Sequence, residues 1–155
     1  MPIATKRAYE AASAKDGYRV LVDGLWPRGM TKAELKVDAW MRVIAPSTAL
    51  RKSYCHIPEK WEQFRKKYRQ ELSMPPRKAL CDELVERARK GHVTLVFGAR
   101  DAERSNAAVI AEVIRRQLQV SNRKPLVEAI LVPKLPKIEW KKAKKEIEAG
   151  HTGSS

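Results

Sequence analysis

The sequence contains few cysteines and no long apolar run, and both absences narrow the kind of protein it encodes. Cys55 and Cys81 are the only cysteines. Two cysteines so far apart supply neither a disulfide framework nor a Cys-x-x-Cys metal pair, so we expect reduced thiols. The longest apolar runs have the length of a strand, which predicts no membrane-spanning segment and no membrane partner. The start of the chain lacks the apolar stretch of a secretory signal, which predicts a cytoplasmic protein.

Signatures of well-known chemistry are missing as well. The chain has no phosphate-binding glycine loop, no dinucleotide fingerprint and no nucleophile elbow, which removes the nucleotide and hydrolase classes that such motifs identify. Its histidines do not have the spacing of zinc ligands. We therefore predict no metal and no cofactor. Cys55 and His56 are a weak candidate for a nucleophile and its base, because adjacent side chains usually point in different directions.

The composition of the sequence is that of a globular protein with a large positive net charge. With 155 residues, of which 43% are hydrophobic and 32% charged, the chain is long enough to bury a core and too apolar to be disordered. The net charge of +14 favours polyanions or phosphate-bearing ligands through long-range attraction. We predict one domain over residues 1–120 and a basic C-terminal extension over residues 121–155.

Apolar patterning predicts the order of helices and strands. A stripe at three- and four-residue spacing, Trp61, Phe64, Tyr68 and Leu72, marks a core-facing helix. A capping box at Thr31–Glu34 predicts a helix start, and Gly91 is expected to end another helix in the left-handed conformation. The expected elements are strands at 3–9, 17–23 and 93–97, helices over 31–44, 47–54, 58–73, 76–90 and 105–118, a strand at 126–132, and a terminal helix or partly ordered tail over 138–149.

The fold class follows from the long helical connection between the strands at 17–23 and 93–97. Such a connection permits a parallel crossover. The sequence therefore predicts an α/β fold, a single compact domain with a small, mostly parallel sheet flanked by helices.

Candidate functional residues follow the predicted strands, because ligands of open parallel sheets bind beyond the carboxyl ends of the strands. Asp23 is either a general base or orienting group, or a structural cap or ion-pair partner. Arg28 either clamps an anion or pairs with Asp23 or Asp101. Trp26 either stacks on a ligand ring or packs beneath its own loop.

The second predicted loop carries Arg100 and Asp101, with Asn106 at the start of the next helix. This arrangement suits an anion, while the alternative is that Asp101 or Asn106 only caps the helix. Ser47 and Arg51 complete the candidate ligand-binding residues, and Asp23 and Asp101 are the candidate catalytic residues.

Several runs of the chain resemble one family. They are similar to the YeaO-like branch of the DUF488 family, whose members are uncharacterised, and the likeness covers roughly residues 5–118. The resemblance implies an α/β domain and no established activity. This family usually carries Arg at the position of Gly24, so one guanidinium that the resemblance implies is missing. The matching runs are Gly-Tyr-Arg-Val-Leu-Val-Asp at 17–23, Leu-Trp-Pro-Arg-Gly at 25–29, Ala-Pro-Ser at 45–47, Leu-Arg-Lys at 50–52, Trp61-x-x-Phe64 and Tyr68-x-x-Glu71-Leu72.

Three hypotheses about function remain open from the sequence. The first is binding or turnover of a small phosphate- or nucleotide-bearing anion near Arg28 and Arg100. The second is nucleic-acid binding by the basic surface and the lysines at 141, 142, 144 and 145. The third is a structural role in protein–protein association, without catalysis.

Overall fold

The computed structural model describes residues 2–55 and 57–123, and it places a four-stranded sheet among helices. The strands are β1 (Ile3–Arg7), β2 (Tyr18–Leu21), β3 (Ala39–Trp40) and β4 (Val93–Phe97). Their order across the sheet is β1-β4-β2-β3, and all three neighbouring pairs are parallel. The α/β fold with a parallel sheet is thus confirmed.

Helices cover the connections between the strands. They are α1 (Lys32–Leu35), α2 (Thr48–Tyr54), α3 (Trp61–Leu72), α4 (Arg77–Lys90) and α5 (Asn106–Arg123), and short 3-10 turns lie at Ala14–Asp16, Arg42–Ile44 and Pro58–Lys60. No helix within residues 2–55 and 57–123 is long and apolar enough to cross a bilayer.

The core lies around β4, whose five residues are all buried. The apolar stripe of α3 packs there as predicted, with Phe64, Tyr68 and Leu72 buried and Trp61 partly buried. The hydroxyl of Tyr68 donates a hydrogen bond of 2.5 Å to the backbone oxygen of Ile44. A buried phenol is tolerated because this partner satisfies its O–H.

The first predicted helix is shorter than expected. The capping box at its start is present, but the helix ends at Leu35 and does not reach Ile44. Lys36 is left-handed with a φ of 51°, and the guanidinium of Arg19 donates to the backbone oxygens of Leu35 and Lys36. The chain then enters β3, Ala39–Trp40, whose pairing with β2 replaces helical hydrogen bonds.

Gly91 and Gly17 differ in backbone conformation. Gly91 has a φ of 179°, so it ends α4 in extended backbone and the left-handed prediction is wrong. Gly17 has a φ of 64°, and a Cβ at this position would lie 2.3 Å from the backbone oxygen of His92. That close approach requires glycine at position 17.

The predicted strand at 126–132 and the terminal helix or tail at 138–149 lie outside the described residues. Helix α5 runs to Arg123, so it passes the predicted domain boundary at residue 120. The division of the chain into a domain and a basic extension stays a prediction.

Candidate functional site

A cleft of about 740 Å³ opens at the carboxyl edge of the sheet. Asp23 and Gly24, which follow β2, line it together with Ala99, which follows β4, and Asn106 at the start of α5. This is the edge at which a parallel sheet brings its loops together. The volume lies within the roughly 300–1,000 Å³ of small-molecule sites.

Asp23 lies where the loops after β2 and β4 meet. Its Oδ2 accepts a hydrogen bond of 2.7 Å from the backbone N–H of Gly98. The side-chain amide of Asn106 donates a hydrogen bond of 2.9 Å to the backbone oxygen of Val22, the residue before Asp23. Burial raises the pKa of the Asp23 carboxyl, although the hydrogen bonds from Gly98 and Asn106 oppose the rise. Asp23 makes no ion pair with any side chain in the described part of the chain.

Four guanidinium groups line the same cleft, at Arg42, Arg51, Arg77 and Arg104. Arg77 is anchored, because its Nε donates a hydrogen bond of 2.8 Å to the backbone oxygen of Ala45. The guanidinium carbon of Arg42 lies 4.9 Å from the centre of the Trp40 ring. Both contacts hold positive charge on the cleft wall.

Arg51 and Arg104 differ in their partners. Arg104 donates 2.9 Å to the carboxylate of Asp101 in an exposed ion pair. The side chain of Arg51 is exposed and forms no hydrogen bond or ion pair with the other residues that the structure describes. Arg51 therefore offers its full set of donors to the cleft.

Ser47 holds the start of α2 against the cleft. Its Oγ accepts a hydrogen bond of 3.2 Å from the backbone N–H of Leu50, as the predicted cap requires. Glu71 of α3 accepts from both the backbone N–H of Ser47 at 2.9 Å and its Oγ–H at 2.5 Å. The wall of the cleft is thus tied to α3 by two charge-assisted hydrogen bonds.

Trp26 and Arg28 are not among the residues that line the cleft. Trp26 is partly buried, donates 2.6 Å from Nε1 to the backbone oxygen of Met30, and meets Trp40 edge-on with ring centres 5.5 Å apart. These contacts agree with the packing interpretation of Trp26. The side chain of Arg28 is exposed and forms no ion pair with Asp23, while its backbone oxygen accepts from the hydroxyl of Tyr9 at 3.1 Å.

Arg100 and Asp101 are also exposed and outside the cleft lining. Asp101 accepts hydrogen bonds from the backbone N–H groups of Glu103 and Arg104, and its hydrogen bond with the Arg104 guanidinium contributes most to lowering its pKa. Asp101 thus has the geometry of a turn residue, while Ser105 is the side chain that accepts from the first turn of α5. Of the candidate residues from the sequence, the structure brings Asp23, Ser47, Arg51 and Asn106 together, and it leaves Trp26, Arg28, Arg100 and Asp101 outside.

Sequence reasoning missed Arg42, Arg77 and Arg104, because nothing in their local spacing indicates that they converge. Glu71 gave a usable signal, since it lies three residues after the buried Tyr68 and so on the inner side of α3.

The two cysteine thiols lie in different environments. Cys81 is buried, and burial raises its pKa to about 12. Cys55 is exposed, whereas His56 lies outside the described residues. Within the described ranges no group of His, Cys, Asp and Glu is arranged to hold a metal ion.

Comparison with known proteins places these features among relatives without assigned activity. A family described as "Inactive DUF488-N3 subclade" matches residues 2–129. "Uncharacterized protein YeaO" of Escherichia coli is 38% identical over 115 residues, covering 74% of this chain and 98% of YeaO. "Uncharacterized protein Rv3073c" of Mycobacterium tuberculosis is 39% identical over 108 residues, covering 70% of this chain and 89% of the relative. No solved structure gives a significant match.

Proposed function

Because this chain belongs to the DUF488 family, in a subclade described as inactive, we propose that its cleft binds a small phosphate-bearing anion without transforming it. The observation that carries the proposal is the cleft's excess of positive charge, with four arginines around one carboxyl. Guanidinium groups suit phosphate because their forked N–H donors match two oxygens at once.

The state of Asp23 supports the same proposal. A carboxylate in the cleft repels an anion, but the raised pKa of Asp23 weakens this opposition by favouring its neutral form. Asp23 is the acidic group that opposes anion binding in the cleft, and its burial disfavours its negative charge.

Binding is a better proposal than catalysis for this chain. Two acids were candidates for catalysis, and Asp101 lies outside the cleft lining and is paired with Arg104. Among the described residues, no second carboxyl and no histidine lines the cleft beside Asp23 to complete a proton relay. The description of the subclade as inactive favours the same conclusion.

Thermal unfolding with inorganic phosphate, nucleoside monophosphates and sugar phosphates tests the proposal at low ionic strength. We expect at least one of these to raise the Tm of the full chain, because a ligand that binds only the folded state stabilises it. Arg51→Ala should weaken this binding by about tenfold, since charge-assisted hydrogen bonds contribute about 1.5–3 kcal/mol. The matched control is Lys52→Ala, which removes the same charge from an exposed neighbour on α2 that does not line the cleft.

Equal loss in Arg51→Ala and Lys52→Ala, or no stabilisation of the native protein by any of these anions, would rule the proposal out. A rise that appears only with long polyanions and is unaffected by Arg51→Ala would favour nucleic-acid binding elsewhere on the basic surface.

A further inference from the structure

A second basic surface lies beside the cleft and touches it through Ala99. The Nε of Arg7, at the end of β1, donates a hydrogen bond of 3.0 Å to the backbone oxygen of Ala99, and Ala99 itself lines the cleft. Arg100, the next residue, is exposed. The carboxyl edge of the sheet therefore carries positive charge on both sides of Ala99.

An aromatic ring lies within this second surface. The guanidinium carbon of Arg7 is 5.4 Å from the centre of the Tyr9 ring, and the hydroxyl of Tyr9 donates to the backbone oxygen of Arg28. Tyr9 nevertheless remains 49% exposed. Arg7 contacts Tyr9, Tyr9 contacts the backbone of Arg28, and Arg100 directly follows Ala99, to which Arg7 donates. We call Arg7, Tyr9, Arg28 and Arg100 the outer basic surface.

Few opposing charges are close to the outer basic surface. Glu10 follows Tyr9, is exposed, and donates from its backbone N–H to the backbone oxygen of Arg7. Asp101 follows Arg100 and is already paired with Arg104. The three guanidinium groups of Arg7, Arg28 and Arg100 outnumber the neighbouring carboxylate of Glu10, which leaves the surface electropositive.

We propose that the outer basic surface binds single-stranded nucleic acid, with phosphates on Arg28 and Arg100 and a base stacked on Tyr9. Positive charge alone suits any polyanion, and the half-exposed ring of Tyr9 adds a face on which an unpaired base can stack. The proposal extends beyond the cleft, since none of the four residues of the outer basic surface lines it. It gives a role to Arg28 and Arg100, the two candidate arginines outside the cleft lining.

Fluorescence anisotropy with the full chain and a labelled oligothymidylate of about eight nucleotides tests this inference, a length within the usual site size for single strands. Arg28→Ala and Arg100→Ala should each weaken binding and lower the slope of log affinity against log salt by about 0.7, the effect of one phosphate contact on a single strand. Tyr9→Ala should weaken binding about tenfold through lost stacking, whereas Tyr9→Phe keeps the ring and should bind like the native protein.

Lys90→Ala is the matched control, because Lys90 is exposed at the end of α4, just before β4 begins, and so lies at the opposite edge of the sheet. It should leave the affinity and the salt slope nearly unchanged. If Arg28→Ala and Tyr9→Ala bind the oligonucleotide as Lys90→Ala does, the inference is wrong. The phosphate-induced rise in Tm reports on the cleft separately, so either proposal can fail while the other stands.

Discussion

The carboxylate of Asp23 and the backbone N–H of Gly98 share a hydrogen bond of 2.7 Å that joins the loop after β2 to the loop after β4. These strands are neighbours in the sheet, and this contact continues their connection beyond the last strand residues. A Cβ added at Gly98 would lie 3.2 Å from the Asp23 Oδ2 atom. The fit of the two residues therefore leaves no room for a larger side chain without a shift.

Gly98→Ala should lower the free energy of unfolding by roughly 1 kcal/mol, the usual contribution of one hydrogen bond. The added methyl group must displace the Asp23 carboxylate by a few tenths of an ångström. Urea unfolding measures the loss, and Gly24→Ala is the control, since its Cβ would meet Ala45 at an ordinary 3.7 Å. Equal stability of the two variants would contradict the close fit at Gly98.

Asp23→Asn should change how stability depends on pH. Since burial raises the folded-state pKa of Asp23, its contribution to stability is full below the unfolded value of about 4 and is lost as the pH rises through the folded value. Asparagine does not ionise, and its side-chain oxygen still accepts from Gly98. The variant should therefore gain stability relative to the native protein as the pH rises from about 4 toward 7.

Urea unfolding of the native and variant chains across that pH range gives the comparison. Asp101→Asn is the control, and it should lose stability relative to the native protein as the pH rises. The reason is that the pKa of the exposed Asp101 is lowered in the folded state. Parallel pH profiles for native protein and Asp23→Asn would show that the Asp23 carboxyl is ionised as readily in the folded state as in the unfolded chain.

Glu71→Ala should cost roughly 1–3 kcal/mol of stability, because the backbone N–H of Ser47 loses its acceptor when Glu71 is truncated. Chemical unfolding measures the cost. The control on the same helix is Glu62→Ala. The carboxylate of Glu62 is 72% exposed and forms an ion pair with Arg65 at 3.4 Å, so the loss of stability there should stay within about 1 kcal/mol. If the truncation at Glu71 also weakens phosphate binding while Glu62→Ala does not, α3 supports the cleft wall through Ser47.

The parts of the fold that the sequence predicted are those with a local signal. The continuous apolar run of β4 and the stripe on α3 each encode their burial within one element. Strand β3 has no such signal, because two residues cannot show a period, and its pairing with β2 depends on where Arg19 ends α1.

The candidate site was predicted in the same uneven way. The predicted parallel sheet has its carboxyl edge where the cleft lies, and the positions of Asp23 and Asn106 follow from the ends of a strand and the start of a helix. Which arginines face the cleft depends on how α2, α4 and the loop before α5 pack, and this is long-range information. Arg28 lies close to Asp23 in sequence, yet the turn secured by the Trp26 indole carries it to the outer basic surface.

The position of β4 in the sheet has a consequence for how the protein is made. Because β4 lies between β1 and β2, the two earliest strands of the chain cannot pair with each other and must wait for a segment near residue 95. On the ribosome, the first ninety or so residues therefore emerge with an incomplete sheet and exposed strand edges, which favours slow closure and makes early chaperone contact useful. The cleft needs Gly98 and Asn106 as well, so its walls are complete only when synthesis of the domain is almost finished.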